Sequence, residues 1–283
     1  MHPEFDPIAI WLGPLPVRWY GIMYLFAFIS FLLLGKEQLK KNFRFSGIFR
    51  KNLDDMLIYG IFGVILGGRL GYVIFYNPEY YFMNPIEIFA VWQGGMSFHG
   101  GMLGVILFMF LFAYNRPNFG RRKIIRNYKP TILSRFFLIT DFVAPLVPLG
   151  LMFGRLGNYI NGELYGRITD VELVTWAIIF PQSGTLDPRH PSQLYQAFGE
   201  GFILFLILYN IQKLKLPIGA LSGSFLVGYS FFRFLTEFFR EPDSHLGFIF
   251  IHLTMGQLLC LPMTIFGFLL LYLSLSNNLL KKC

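Results

Sequence analysis

Apolar windows of membrane-spanning length recur along the chain, separated by short polar or basic stretches. They predict helices at Trp19–Gly35, Met56–Phe75, Met96–Tyr114, Phe136–Phe153, Leu194–Ile211, Ile218–Phe239 and Thr254–Ser274. About 20 mostly apolar residues are needed to cross a hydrocarbon core in helical form, and these windows reach or approach that length. The pattern therefore predicts an all-α membrane protein, a polytopic bundle of about seven transmembrane helices, with residues 1–283 as a single integral-membrane domain. Glycines spaced by four, as in Gly63, Gly67 and Gly71 and in Gly100 and Gly104, predict close helix-helix approach.

Composition agrees with this picture: 54% of residues are hydrophobic, 19% aromatic and only 14% charged. A soluble domain carries charge on about a quarter of its residues. The charges that are present fall in a pattern. Lys36, Lys40, Lys41, Arg44, Arg50 and Lys51 follow the first helix, and Arg116, Arg121, Arg122, Lys123, Arg126, Lys129 and Arg135 follow the third. Lys213 and Lys215 lie between the fifth and sixth helices, with Lys281 and Lys282 at the end of the chain. Short loops rich in Lys and Arg stay on the cytoplasmic side, and one topology satisfies all four groups. In it the N-terminus is external and the C-terminus cytoplasmic. The net charge of +8 then reflects contact with an anionic leaflet and requires no nucleic acid. The first residues lack a basic cluster and a small-residue cleavage site, so a removable signal peptide is not expected.

The basic residues left over are all arginines: Arg18, Arg69, Arg155, Arg167, Arg189, Arg233 and Arg240. An ionisable side chain at the bilayer centre costs about 2.5–3.5 kcal/mol on insertion scales and marks function by default. Tyr229, Arg233, Glu237 and Arg240 are spaced to share one helix stripe, which must face the bundle interior. The densest polar stretch, Gly154-Arg155-Leu156-Gly157-Asn158-Tyr159-Ile160-Asn161-Gly162-Glu163-Leu164-Tyr165-Gly166-Arg167, is expected where the fourth helix leaves the membrane. Its four glycines permit tight backbone turns and close backbone approach, and its arginines can grip phosphate in a forked geometry. A third element, Gly94-Gly95-Met96-Ser97-Phe98-His99-Gly100-Gly101, offers an accessible histidine that can accept a proton near neutral pH.

Other chemistry finds no support. His2, His99, His190, His245 and His252 have no histidine or cysteine three or four residues on, so no metal site is expected. Cys260 and Cys283 are too few and too badly placed for a disulfide framework. A nucleophile elbow and a nucleotide phosphate loop are both missing from the sequence, and no cofactor and no nucleotide is expected.

Together these motifs resemble the prolipoprotein diacylglyceryl transferases of bacteria. The resemblance rests on Gly154–Arg167 and extends through Arg18-Trp19-Tyr20-Gly21, Gly94–Gly101, Arg189-His190-Pro191-Ser192-Gln193-Leu194-Tyr195 and Arg233–Arg240, covering essentially the whole chain. It implies catalytic roles for Tyr20, His99, Arg155, Arg233 and Glu237. It also implies phosphatidylglycerol contacts from Arg155, Asn158, Gly166, Tyr229, Arg233 and Arg240. Arg18 stands where the family has histidine. The family fold implies a small external (periplasmic) head segment at about 155–192, inserted between helices four and five, and a place in the bacterial cytoplasmic (inner) membrane with the site toward the outside. The implied reaction transfers diacylglyceryl from phosphatidylglycerol to the lipobox cysteine of a prolipoprotein, giving a thioether and glycerol 1-phosphate. Two other readings share the intramembrane arginines. A phospholipid transporter or scramblase would need a polar path to both sides, and a structural lipid-binding subunit would not need His99.

Overall fold

The computed structural model describes residues 1–41, 45, 52–116, 131–214, 216–242 and 253–276. Among these, an N-terminal hairpin of β1 (Ile8–Leu12) and β2 (Leu15–Arg18) leads into helices α1 (Trp19–Lys41), α2 (Leu53–Phe75), α3 (Phe98–Asn115), α4 (Ile132–Val143) and α5 (Val147–Ile160). Then follow α6 (Ser192–Leu214), α7 (Ala220–Thr236) and α8 (Met255–Leu275). Among the described residues five helices are long and apolar enough to span a membrane, and α4 with α5, bent by 51° where they meet, reaches that length only as a pair. At 17 residues, α7 extends about 25 Å, slightly less than a hydrocarbon core. The protein is thus an all-α polytopic membrane protein. Most of the basic residues used for orientation, including Arg44, Arg121 and Lys281, lie outside the described residues, as do His245, His252 and Cys283.

The chief departure from the expected pattern is the fourth span, which is two helices rather than one. Residues 144–146 form a turn, where Pro145 lacks the N–H that a continuous helix would use. Pro148 opens α5 within its first two positions, where the missing donor costs nothing. In addition, α5 runs on to Ile160, so Arg155 and Asn158 sit on a helix and not in a turn. Other ends moved by a few residues for local reasons. Asp54 and Asp55 favour an earlier start to α2, Ser97 caps α3 by accepting from Gly100 N, and Thr254 with Gln257 forms a capping box on α8. The N-terminal hairpin and a short helix at Pro78–Met83 were not expected, because each is too short to leave a periodic signal.

The chain forms two compact units, Met1–Leu34 with Asp141–Lys282, and Gly35–Thr140. In the second unit, α2 and α3 touch backbone to backbone. A Cβ at Gly104 would lie 2.1 Å from Gly63 O, and one at Gly67 would lie 2.4 Å from Gly100 O. Only glycine permits this separation. At the end of the same helix pair, Arg116 bonds Asn52 at 3.0 Å and pairs with Asp55.

In the first unit, α1 lies along α5 through Phe26 and Phe153. The N-terminus of α7 is held by a buried carboxylate: Asp141 accepts from Gly219 N at 2.8 Å, Ser222 N at 2.9 Å and Ser222 Oγ at 2.7 Å. A negative charge at a helix N-terminus meets the positive end of its dipole, and with water excluded these donors have no ready substitute. Asp141→Ala is expected to cost on the order of 3 kcal/mol, the scale of stranding several buried donors. Thermal unfolding in detergent checks this, and an unchanged midpoint contradicts it.

Candidate active site

The helix stripe expected from the sequence forms in part: Tyr229 and Arg233 lie on α7, whereas Arg240 lies beyond the end of the helix, in a bridge to Gly166. Arg233, near the end of α7, lies between two carboxylates: Glu237 Oε2 is 2.9 Å from Nη2 and Glu200 Oε1 is 3.7 Å from Nη1. Helix α7 ends at Thr236, so Glu237 is its C-cap. From there Glu237 also takes Arg240 Nη1 at 3.2 Å and Thr254 Oγ1 at 3.1 Å. Thr236 Oγ1 donates to Glu200 Oε1 at 3.0 Å. Both carboxylates are buried, and a buried charge is tolerable only when paired and hydrogen-bonded. Arg233 Nη1 has no hydrogen-bond acceptor, so the fork of this guanidinium is held by charge without being used up.

Sequence reasoning missed Glu200. It lies within an apolar window on a π-helical turn, Ala197–Ile203, a form that often marks functional sites. Glycines on either side let neighbouring helices close in. A Cβ at Gly201 would lie 2.5 Å from Met152 Cβ on α5, and one at Gly199 would lie 3.2 Å from the Phe232 ring on α7. A single acid between two glycines in an otherwise apolar helix was the available signal.

Helix α5 carries the second half of the cluster. Arg155 Nη1 donates to Asn158 Oδ1 at 3.3 Å, and Asn158 Nδ2 donates to Glu163 Oε1 at 2.8 Å. Arg155 has no carboxylate within ion-pairing distance among the described residues, yet it interacts with the charges of Glu200, Arg233 and Arg240 and with Tyr229. The Tyr20 ring packs against Gly157, where a Cβ would come within 3.0 Å of Cδ2. Within the first unit, therefore, Tyr20, Arg155, Asn158, Tyr229, Arg233, Glu237 and Arg240 occupy one neighbourhood.

Gly166 lies at the edge of this neighbourhood, in a small β-knot that ties the segment after α5 to the residues following α7. Its N–H donates to His190 O at 2.9 Å, it bridges to Arg240, and Arg189 Nη1 donates to its carbonyl at 3.2 Å. A Cβ there would lie 2.3 Å from His190 O and 2.5 Å from Phe239 O. The segment is also held by Gln193 Nε2 to Glu163 O at 2.7 Å and by Ser192 Oγ to Leu164 O at 3.0 Å, around a left-handed Leu164 with φ of 57°. Partial burial pushes the His190 imidazole below the usual histidine range.

His99 belongs to the other unit. It is exposed in the first turn of α3, next to the Phe98 ring. The approach to that turn is fixed by Arg69, whose guanidinium donates to the carbonyls of Ile88 at 2.9 Å, Gly94 at 2.6 Å and Glu87 at 2.6 Å, and by Ser97 N to Gly68 O at 2.9 Å. Arg69 thus serves as a brace for the loop. Among the described residues, His, Cys, Asp and Glu form no cluster able to hold a metal ion.

A family model described as prolipoprotein diacylglyceryl transferase matches residues 7–273. The phosphatidylglycerol–prolipoprotein diacylglyceryl transferase of Cupriavidus metallidurans is 53% identical over 268 residues, covering 94% of this chain and 92% of the relative. The protein so named from Dechloromonas aromatica is also 53% identical, over 94% of each chain. That from Bordetella avium is 50% identical over 96% of each.

The crowding at Gly166 generates a test of its own. Gly166→Ala is expected to destabilise the protein by about 1–3 kcal/mol, the usual cost of forced overpacking. A melting curve as stable as that of the unmodified protein would contradict the geometry.

Proposed function

We propose, on the premise that the chain belongs to the prolipoprotein diacylglyceryl transferase family, that it moves the diacylglyceryl group of phosphatidylglycerol onto the lipobox cysteine thiol of a prolipoprotein. Membership makes it a membrane-embedded transferase of lipoprotein maturation. The substrates are those named for its relatives. The single observation that carries the reading for this chain is the pair Arg155 and Arg233. Both are set inside the bundle, and Arg233 is held by Glu237 and Glu200 with one nitrogen unbonded.

In the reaction, the thiol sulfur attacks glycerol C3, an S–C bond forms, the C3–O bond to phosphate breaks, and glycerol 1-phosphate leaves. A free thiol has a pKa of about 8.5 and is mostly protonated at neutral pH, so a proton acceptor is needed. His99, exposed at a helix N-terminus, takes that role. The phosphate gains charge as it leaves, and preorganised donors in a water-poor site stabilise it most. Arg155 and Arg233 supply them, with Asn158 orienting Arg155. Tyr229 and Arg240 complete the lipid-binding wall, and Tyr20 fixes α1 against Gly157 beside it. Gly166 serves through the knot that anchors Arg240. No cofactor or nucleotide is called for, because the bond that breaks is already activated in the lipid. The basic loops support a cytoplasmic (inner) membrane placement with the N-terminus outside, the C-terminus inside and the site toward the external face, and the chain is read as a single integral-membrane domain with an external head at about 155–192.

Transfer to a lipobox peptide in phosphatidylglycerol micelles tests the whole reading, and absence of product from the unmodified protein would refute it. His99→Gln is expected to lower the rate by about 10²–10⁴-fold, the range of a lost general base, and unchanged turnover would remove His99 from that role. Arg155→Lys keeps the charge but loses the fork, and a fall of about 10²-fold or more is expected. Near-normal transfer would reduce Arg155 to a point charge.

A further inference from the structure

One face of α6 carries buried polar groups, of which only Glu200, through Arg233, enters the proposed chemistry. Gln193, Gln196 and Glu200 are each 0% exposed, and spacings of three and four put them on one stripe. The partners of the two end members define where that stripe looks: Gln193 bonds the Glu163 carbonyl beyond α5, and Glu200 faces Thr236 and Arg233 of α7. Gln196 lies between them, on a helix that packs against both α5 and α7. Neither of its amide atoms has a hydrogen-bond partner, and Gln193 Oε1 and Glu200 Oε2 also lack one. Buried polar atoms are nearly always satisfied, and exceptions call for a reason.

The chemistry of these orphan atoms selects a ligand. Three are acceptors, Gln193 Oε1, Gln196 Oε1 and Glu200 Oε2, and one, Gln196 Nε2, is a donor. A phosphodiester only accepts and acyl chains do neither, so the complementary group must donate: an alcohol or an ammonium. Charge decides between them. Three guanidiniums, Arg155, Arg233 and Arg240, interact with two buried carboxylates, Glu200 and Glu237, a surplus of one positive charge. One phosphodiester cancels that surplus, whereas an added ammonium would restore it beside the arginines.

We infer that Gln193, Gln196 and Glu200 form a hydroxyl-recognition subsite for the terminal glycerol of a phosphoglycerol headgroup, adjoining the arginines that hold its phosphate. The inference rests on the transfer reaction proposed above and assigns its headgroup selectivity to α6. Because the glycerol departs with the phosphate, the subsite grips the leaving group throughout C–O cleavage.

The test compares phosphatidylglycerol with phosphatidylpropanol of the same acyl chains, which keeps the phosphodiester and the three-carbon headgroup but has no hydroxyls. The unmodified protein is expected to transfer from phosphatidylglycerol about tenfold faster or more, since a site built to bond hydroxyls rejects analogues lacking them. Gln196→Leu is expected to bring the two rates within about twofold. Equal rates in the unmodified protein, or a preference that survives Gln196→Leu, overturns the subsite. No product from either lipid refutes the transferase reading instead, so the two failures are distinct. Should Gln196→Leu not fold, Gln196→Met reads the same ratio with an unbranched side chain of similar length. Equal thermal stabilisation of the unmodified protein by the two lipids overturns the inference without any variant.

Discussion

Charge buried in a hydrocarbon slab must be balanced within the protein, because no water is at hand to do it. In the first unit Glu237 meets this demand: one carboxylate receives Arg233, Arg240 and Thr254. Glu200 supplies the second negative charge from a different helix. Around this arrangement the end of α7, the start of α8 and the π-turn of α6 are fixed with respect to one another. The pairing holds the arginines charged and oriented while leaving donor capacity at Arg233 and Arg155. Catalysis of phosphate departure needs such donors set in advance, so that none must reorganise as charge develops.

Glycine supplies the complementary constraint. Three separate contacts depend on the missing Cβ: α2 with α3 at Gly63 and Gly104, Tyr20 with Gly157, and the β-knot at Gly166. Each sets a distance that matters to a polar group nearby. The first carries His99 at the start of α3, the second sets α1 against α5 two residues from Arg155, and the third anchors Arg240. Small-residue contacts are the common means of helix association where lipid removes the hydrophobic drive.

Much of this is legible in the sequence. Hydropathy alone located the spans, because apolar length is what a bilayer demands, and the Tyr229, Arg233, Glu237 stripe was readable because helical spacing fixes which residues share a face. Other features were hidden for physical reasons. The broken fourth span turns on Pro145 inside a window that hydropathy reads as uniform. The placement of Arg155 and Asn158 on a helix was obscured by four glycines that suggested a turn, although Gly154 and Gly157 are helical. Glu200 was missed because its partners, Thr236 and Arg233, lie on another helix, and long-range pairing leaves no periodic trace. The role of Arg69 was likewise invisible, since its partners are backbone carbonyls of a loop 18–26 residues away.

The central claim is that Arg155 and Arg233 together receive the phosphate of the lipid. A structure of the protein with phosphatidylglycerol bound tests this most directly. The account predicts phosphate oxygens within hydrogen-bonding distance, about 2.7–3.2 Å, of both guanidiniums. A phosphate bound instead at Arg167 or Arg189, with Arg155 and Arg233 touching only protein groups, would contradict it.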